Sequence, residues 1–288
     1  MKNIEVIKIT KDQLDFIPAI CLDPSVGKDG KEKMKEAMNK RVEWIKEMMT
    51  NGLEIFIALE PPRDEIISYK WAGKLKHSDL VINGKVPMGL LECMPIEYAL
   101  EPIRGKNSLF INCMWILPPF WEKGVGKALV TKFIERAREV GSATVIGYDR
   151  TNWFETSIKY MPMAFFKKYG FIEVDRDEER VLLFLDFKKN QSPTFIPTNF
   201  NPEFETRKDK LSVFFNYQCP WSTYMVKEIQ EGIKQFENLD LSIISTNNKK
   251  IVKEFGISRG IILNSIPVFK RMDTWNQVKK KINILKST

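Results

Sequence analysis

A mixed α/β architecture in two successive parts is the fold that the sequence predicts. Three observations predict it. Apolar residues recur in turn at strand spacing and at helix spacing along most of the chain. A proline-containing polar stretch without period, residues 188–210, interrupts that pattern once. After it the alternation of strand and helix begins again. At 288 residues the chain is long enough for two domains, each with a core of its own. The expected division is residues 1–187, a connection over 188–209 and a smaller unit over 210–288.

The elements follow in order. Residues 4–10 alternate apolar and polar, as a strand does. Over 31–50, Met34, Met38, Val42, Ile45 and Met49 fall three or four apart, which predicts an amphipathic helix. "LEIFIALE" (53–60) reads as a strand closed by the turn "PPRDE". Residues 65–73, 88–98 and 108–117 are three more runs rich in β-forming side chains. A helix from about 124 to 139 places Val125, Ala128, Leu129, Phe133, Ile134 and Ala137 on one face. "ATVIGYD" (143–149) suits a buried strand. "MAFFKKYGFIEV" (163–174) reads as helix, glycine stop and strand, and 181–187 as a further strand. Beyond the connection come a strand at 211–217, a helix at 222–236, a strand at 240–246, a helix at 248–256, a strand at 266–271 and a helix at 274–285.

Composition narrows the function classes. Lys and Arg total 45 against 37 Asp and Glu, a net charge of +8. The lysines alternate with acids, as in "KDGKEKMKEAMNKRVEWIKEMM", which predicts solvated helix faces rather than a nucleic-acid surface. The longest apolar stretch, around "LFINCMWILPPFW", is too short for a bilayer span and is broken by prolines. The first ten residues lack the apolar core of a signal peptide, so a cytoplasmic protein is expected. The four cysteines (21, 93, 113 and 219) form no CxxC pair, and His77 is the single histidine. Neither a disulfide scaffold nor a histidine-rich metal site is expected.

The chemistry-bearing stretch is "PPFWEKGVGKALVTKFIERA", residues 118–137. A Walker A loop needs a glycine at Trp121 and Ser or Thr at Ala128, and a dinucleotide fingerprint needs glycine at Leu129. Both fail. The turn still places unpaired helix N–H groups, with the positive end of the helix dipole, beside two glycines that let an anion come close. The same glycines would equally serve a plain β–α turn packed tightly.

"WILPPFWEKGVGKAL" resembles the acetyl-CoA signature of the GNAT acetyltransferases, with Pro118, Gly124, Gly126 and Leu129 in register. "ATVIGYD" and "AFFKKYGFIEV" resemble the family's next segments, and the strand–helix–strand order before the motif agrees. The resemblance covers about residues 1–187 and implies a mostly antiparallel mixed sheet flanked by helices. It further implies that N–H groups over Glu122, Lys123, Gly124, Val125, Gly126 and Lys127 hold the pyrophosphate of acetyl-CoA. Trp115 and Ile116 would bond the pantetheine arm, and Trp121 stands where the family has Gln or Arg. The tyrosine that often protonates the leaving thiolate is Phe166 here, so Tyr169, Tyr160, Cys113 or water would act instead, or the thiolate would leave unassisted. Glu92 is the candidate carboxylate for the amine proton.

In the smaller unit, "FFNYQCPWSTYM" sets Cys219 between a strand and a helix N-terminus, an environment that favours thiolates. Together with "NSIPVF", this resembles a thioredoxin-like module in which Ser222 replaces the second cysteine and Pro267 is expected to be cis. The pairing of the two parts resembles the YoaP-type acetyltransferases. The implied activity is N-acetyl transfer from acetyl-CoA to a small-molecule or peptide primary amine, with Glu92, Tyr169 and Cys219 as catalytic candidates. Two alternatives stand beside it: a monothiol redox or thiol-binding protein using Cys219, and a CoA-binding scaffold without catalysis.

Overall fold

The computed structural model describes residues 4–22, 28–60, 82, 84–149, 160–199, 210–264 and 266–286. The strand expected over 65–73 and His77 lie outside them.

The larger unit runs β1 (Glu5–Lys8), α1 (Phe16–Cys21), α2 (Lys28–Met48), β2 (Glu54–Glu60), β3 (Val86–Pro95), β4 (Ile103–Arg104) and β5 (Leu109–Ile116). It continues through α3 (Val125–Val140), β6 (Ser142–Tyr148), α4 (Met163–Lys167), β7 (Ile172–Asp177), β8 (Arg180–Asp186) and β9 (Thr194–Phe195). Seven strands form one sheet in the order β1-β2-β3-β5-β6-β8-β7. Every neighbouring pair is antiparallel except β5 with β6. The predicted sheet, mixed and mostly antiparallel, is therefore present.

Strand periodicity divides the core. On β2, Phe56 and Ala58 join the layer packed under α3, while Ile55, Ile57 and Leu59 join the layer under α1 and α2. Helix α3 buries Val125, Leu129, Val130, Phe133 and Ala137, a stripe at three- and four-residue spacing. Side chains of this kind stabilise by about 1.5–3 kcal/mol each when fully buried. On α2 the buried line is Met34, Met38, Arg41, Ile45 and Met48. It turns inward one residue earlier than the expected line through Val42 and Met49, and it carries a charge.

The smaller unit runs β10 (Lys210–Phe215), α5 (Pro220–Gly232), β11 (Asp240–Ser245), α6 (Lys249–Phe255), β12 (Gly260–Leu263), β13 (Ile266–Phe269) and α7 (Trp275–Lys286). Its sheet has the order β11-β10-β12-β13. β10 is parallel to β11 and antiparallel to β12, and β12 is antiparallel to β13. Strand β12 was not foreseen: its four residues are too few to show a period. The Ile266–Pro267 bond is trans, since no cis peptide occurs among the described residues. That corrects the expected cis proline. Pro267 sits on the edge strand β13, the part of a sheet where proline is tolerated.

The two units are joined along several lines. α2 and α5 exchange charges: Lys33 Nζ lies 2.6 Å from Glu228 and also pairs Glu231, while Lys227 pairs Glu36. Lys249, at the start of α6, donates to the carbonyls of Ala99 (2.5 Å), Glu101 (2.7 Å) and Ile103 (3.3 Å). Lys270 pairs Asp177 at 2.6 Å. The connecting segment wraps as it goes: β9 pairs with β4, and the Asn199 N–H reaches the Phe255 carbonyl at 2.9 Å.

Candidate active site

The site begins where two central strands part. β5 and β6 are paired only through Leu109–Ala143, Phe110–Thr144 and Ile111–Val145. Beyond those residues each strand leaves backbone groups that need other partners. On the β6 side, the Tyr148 N–H donates to the Met161 carbonyl at 3.0 Å. On the β5 side, the Asn112 carbonyl accepts from Gln218 Nε2 at 3.0 Å. Gln218 belongs to the smaller unit, which thus plugs the split from outside.

A cleft of about 520 Å³ opens at this split. Its walls include Trp115, Ile116, Trp121 and Glu122, then Gly124, Val125, Gly126 and Lys127. Eight of the nine expected coenzyme residues are brought together. Lys123 is not among the lining residues, and its ammonium lies over the Phe120 ring at 5.6 Å. Gly124 has φ +85°, the left-handed conformation that glycine adopts freely, and it caps α3. At Gly126 a Cβ would stand 3.1 Å from Ile116 Cδ1 and 3.2 Å from Phe165 Cζ. The second glycine therefore also serves close packing. The first N–H groups of α3, with Lys127 and Lys168 in the same walls, suit an anionic ligand. The acetyl-CoA pyrophosphate fits such a cradle. One implied contact changes: the Ile116 carbonyl, expected to face pantetheine, accepts from Trp121 Nε1 at 2.8 Å.

A second cavity, about 50 Å³, lies between the units. Cys21, Arg41, Cys113, Gln218, Cys219 and Arg259 line it, with Pro220 and Trp221. Trp115 and Tyr160 line both spaces, so the two share a wall. Cys219 is placed here by its position before α5, at the interface rather than on a free surface. The thiols of Cys21, Cys113 and Cys219 all lie within electrostatic reach of the Arg41 guanidinium. Burial pushes the Cys21 thiol up to about 11 and the Cys113 thiol further. Among the described residues, no three His, Cys, Asp or Glu side chains are grouped as metal ligands.

Two arginines dominate the cavity, and each has an acidic partner that does not line it. Arg41 (2% exposed) pairs with Glu92 (0%). Burial opposes the charge on Arg41, but Glu92 together with the thiols of Cys21, Cys113 and Cys219 outweighs it and keeps the guanidinium protonated. Burial also pushes the Glu92 carboxyl up, and Arg41 only partly answers. Arg259 pairs with Glu101 in the same manner. Two polar atoms near the cavity have no hydrogen-bond partner among the described residues: Arg41 Nε and Gln218 Oε1. Because Gln218 Nε2 is fixed on Asn112, the amide orientation follows.

The catalytic candidates separate. Glu92 is not brought to either cavity: it stands behind Arg41. Tyr169 lines the coenzyme cleft, packed on Phe165 with ring centroids 5.2 Å apart. Phe166 turns into the core against Phe171, so the cleft face of α4 is carried by Phe165 and by Tyr169 just beyond the helix. Tyr160 holds the shared wall, its hydroxyl 3.8 Å from Cys113 Sγ. Burial pushes its phenol well above the usual value, so it stays a proton donor.

Sequence reasoning missed Arg41, Gln218 and Arg259. A signal for Arg41 was present, since a charge falls on the apolar stripe of α2. No local pattern marks the other two.

One family model and several known proteins are similar to parts of this chain. Residues 35–171 match the model of the acetyltransferase (GNAT) family. That segment holds most of α2, strands β2, β3, β5 and β6, the glycine turn and α4. The matched segment, just under half of the chain, is similar to an acetyl-CoA-dependent acyltransferase, and the glycine turn that the resemblance assigns to acetyl-CoA lies within it. The chain is 22% identical over 249 residues to the uncharacterized N-acetyltransferase YoaP of Bacillus subtilis (strain 168), a match that covers 82% of each chain. Among solved structures, the PaiA N-acetyltransferase of Thermoplasma acidophilum in complex with coenzyme A gives a TM-score of 0.41 at 13% identity. It covers 64% of this chain and 99% of that one. A GNAT family acetyltransferase of Elizabethkingia anophelis with acetyl-CoA bound gives 0.35 at 14% identity, covering 65% and 100%.

Proposed function

We propose that the protein is an N-acetyltransferase built from a GNAT unit over 1–187 and a thioredoxin-like unit over 210–288, joined by 188–209. The observation that carries the acetyl-transfer reading is the cleft at the β5–β6 split with the α3 N-terminus in its wall. The strand order β11-β10-β12-β13, with Cys219 leading into α5, supports the reading of the smaller unit. No helix among the described residues is long and apolar enough to cross a membrane.

The residues divide the work. Glu122 to Lys127 hold the phosphates by backbone N–H groups, and Lys127 adds a charge. Trp115 and Tyr160, common to both spaces, fix where amine and thioester meet. Acetyl-CoA supplies the activated acyl group: as the amine nitrogen bonds the carbonyl carbon, the C–S bond breaks and the thiolate leaves. Tyr160 gives the departing sulfur its proton, with Tyr169 further out along the same cleft. Among the described residues lining the inter-unit cavity none is a carboxylate, so the amine sheds its proton to water before or during attack. Glu92 acts as a positioning residue, through Arg41.

Calorimetric titration with acetyl-CoA tests the reading. Micromolar binding is expected in the natural chain and none in Gly126→Glu. Because Ile116 and Phe165 crowd Gly126, the exposed Lys127→Glu serves as a second variant and should weaken binding at least tenfold. Unchanged binding in both, with unchanged melting temperatures, would remove the coenzyme from this cleft.

The thiol reading keeps one observation in its favour, the place of Cys219 in a cavity wall beside two arginines. Cys219→Ser separates the two: acetyl transfer survives it, and thiol chemistry does not.

A further inference from the structure

The cavity between the units has a chemistry of its own. Its two charged lining residues are both guanidinium groups, Arg41 and Arg259, and their partners Glu92 and Glu101 are not in its walls. It therefore presents donors and positive charge to whatever enters. Arg41 Nε is a donor and Gln218 Oε1 an acceptor, each on a side chain only 2% exposed and each without a partner among the described residues. Buried polar atoms of that kind cost free energy unless a ligand or water satisfies them.

These features specify a ligand with an anionic end and a hydrogen-donating end. A room of about 50 Å³ holds only a few groups, since one water needs about 10–15 Å³ on the same measure. A peptide chain does not fit, and a polyamine would meet two guanidinium groups with no lining carboxylate among the described residues.

We infer that the acceptor is a free amino acid or a compound of that type, a small zwitterion whose carboxylate meets Arg41 and Arg259 and whose nitrogen meets Gln218. The inference rests on the acetyl-transfer reading for its direction of attack. The nitrogen then lies toward Trp115 and Tyr160, the wall shared with the coenzyme cleft. Deprotonated, it bonds the acetyl carbon, the C–S bond breaks, and coenzyme A leaves with the proton given to sulfur. The product is an N-acetylamino acid. The specificity lies in the carboxylate, which no part of the reaction consumes.

The test uses the full chain and three probe sets: the twenty common L-amino acids, their carboxamides, and putrescine with tryptamine. Product is read by mass spectrometry, and binding is read separately by calorimetry in the presence of coenzyme A. Expected are acetylation of at least one amino acid, kcat/KM at least 100-fold lower for its carboxamide, and no turnover of putrescine. Arg259→Gln should raise the KM for that amino acid at least tenfold and leave acetyl-CoA binding unchanged. If that variant fails to fold, the comparison of acid with carboxamide in the natural chain decides alone. Carboxamides or putrescine used as well as the acids would overturn the inference and leave acetyl transfer standing. Acetyl-CoA binding with no amino acid bound or acetylated would also overturn it. Binding of an amino acid but not its carboxamide, in a chain that does not bind acetyl-CoA, would uphold the cavity ligand and remove the transferase reading. No binding of either would remove both.

Discussion

The two spaces that meet at Trp115 and Tyr160 are built on opposite principles. The coenzyme cleft draws Trp121, Glu122, Gly124, Val125, Gly126 and Lys127 from one contiguous turn at the start of α3, where helix N–H groups have no internal partner. The inter-unit cavity is lined by residues of α1, α2 and β5, by Tyr160, by the Gln218–Trp221 corner and by Arg259 on the approach to β12. A backbone cradle of the proposed kind would be indifferent to most side chains and would tolerate Trp121, whose indole bonds the Ile116 carbonyl. A side-chain cavity depends on each member and on the mutual placement of two folded units. Substitutions should therefore act locally in the first and cooperatively in the second.

The largest effect is expected at the Arg41–Glu92 pair. Arg41→Met leaves a fully buried carboxyl without its partner and should cost about 3–5 kcal/mol in chemical denaturation. The double variant Arg41→Met with Glu92→Leu should regain most of that. If the double variant is as unstable as the single, the penalty lies in packing and not in charge. Next comes Tyr160→Phe, expected to lower kcat about 100-fold, which is about 2.7 kcal/mol of barrier. Its folded-state pKa is raised, so the phenol keeps its proton as pH rises, and no alkaline fall in rate from this group is expected below pH 10. A fall between pH 8 and 9 would assign the acid elsewhere. Lys249→Met strips a buried ammonium from three carbonyl oxygens and should cost about 1–3 kcal/mol. That loss should weaken acceptor use more than acetyl-CoA binding, since the residue holds one unit on the other. The smallest change is Lys33→Ala, which removes partly exposed pairs with Glu228 and Glu231 and should cost under about 1 kcal/mol. A much larger loss there would mean that the α2–α5 contact, rather than Lys249, anchors the smaller unit.

The same contrast explains what the sequence made legible. Strand and helix periods were readable wherever an element was long enough, so β2, β3, β5 and α3 were found within a few residues. The glycine turn was readable because its work is local: a left-handed residue at 124 and a close approach at 126 leave marks in one short stretch. Short β12, with four residues, left none. Glu92 was read as a strand carboxylate facing a cleft, and nothing within its own segment announces that Arg41, 51 residues earlier, covers it. Arg41 was missed as well, although a charge on the buried line of α2 was there to mark it. Gln218 had no such mark: a glutamine at the end of a strand looks like any polar turn residue until its amide is seen on Asn112, 106 residues away.

The bond from Gln218 to Asn112 has a consequence for modularity. In a chain with the larger unit alone, that carbonyl would meet water and the acceptor side would be an open mouth. Here a second unit supplies the far wall, so on the proposed reading the identity of the accepted molecule would be set by a joint and not by a single fold. Exchanging the residues 210–288 among chains of this arrangement should transplant acceptor choice while leaving the use of acetyl-CoA unchanged.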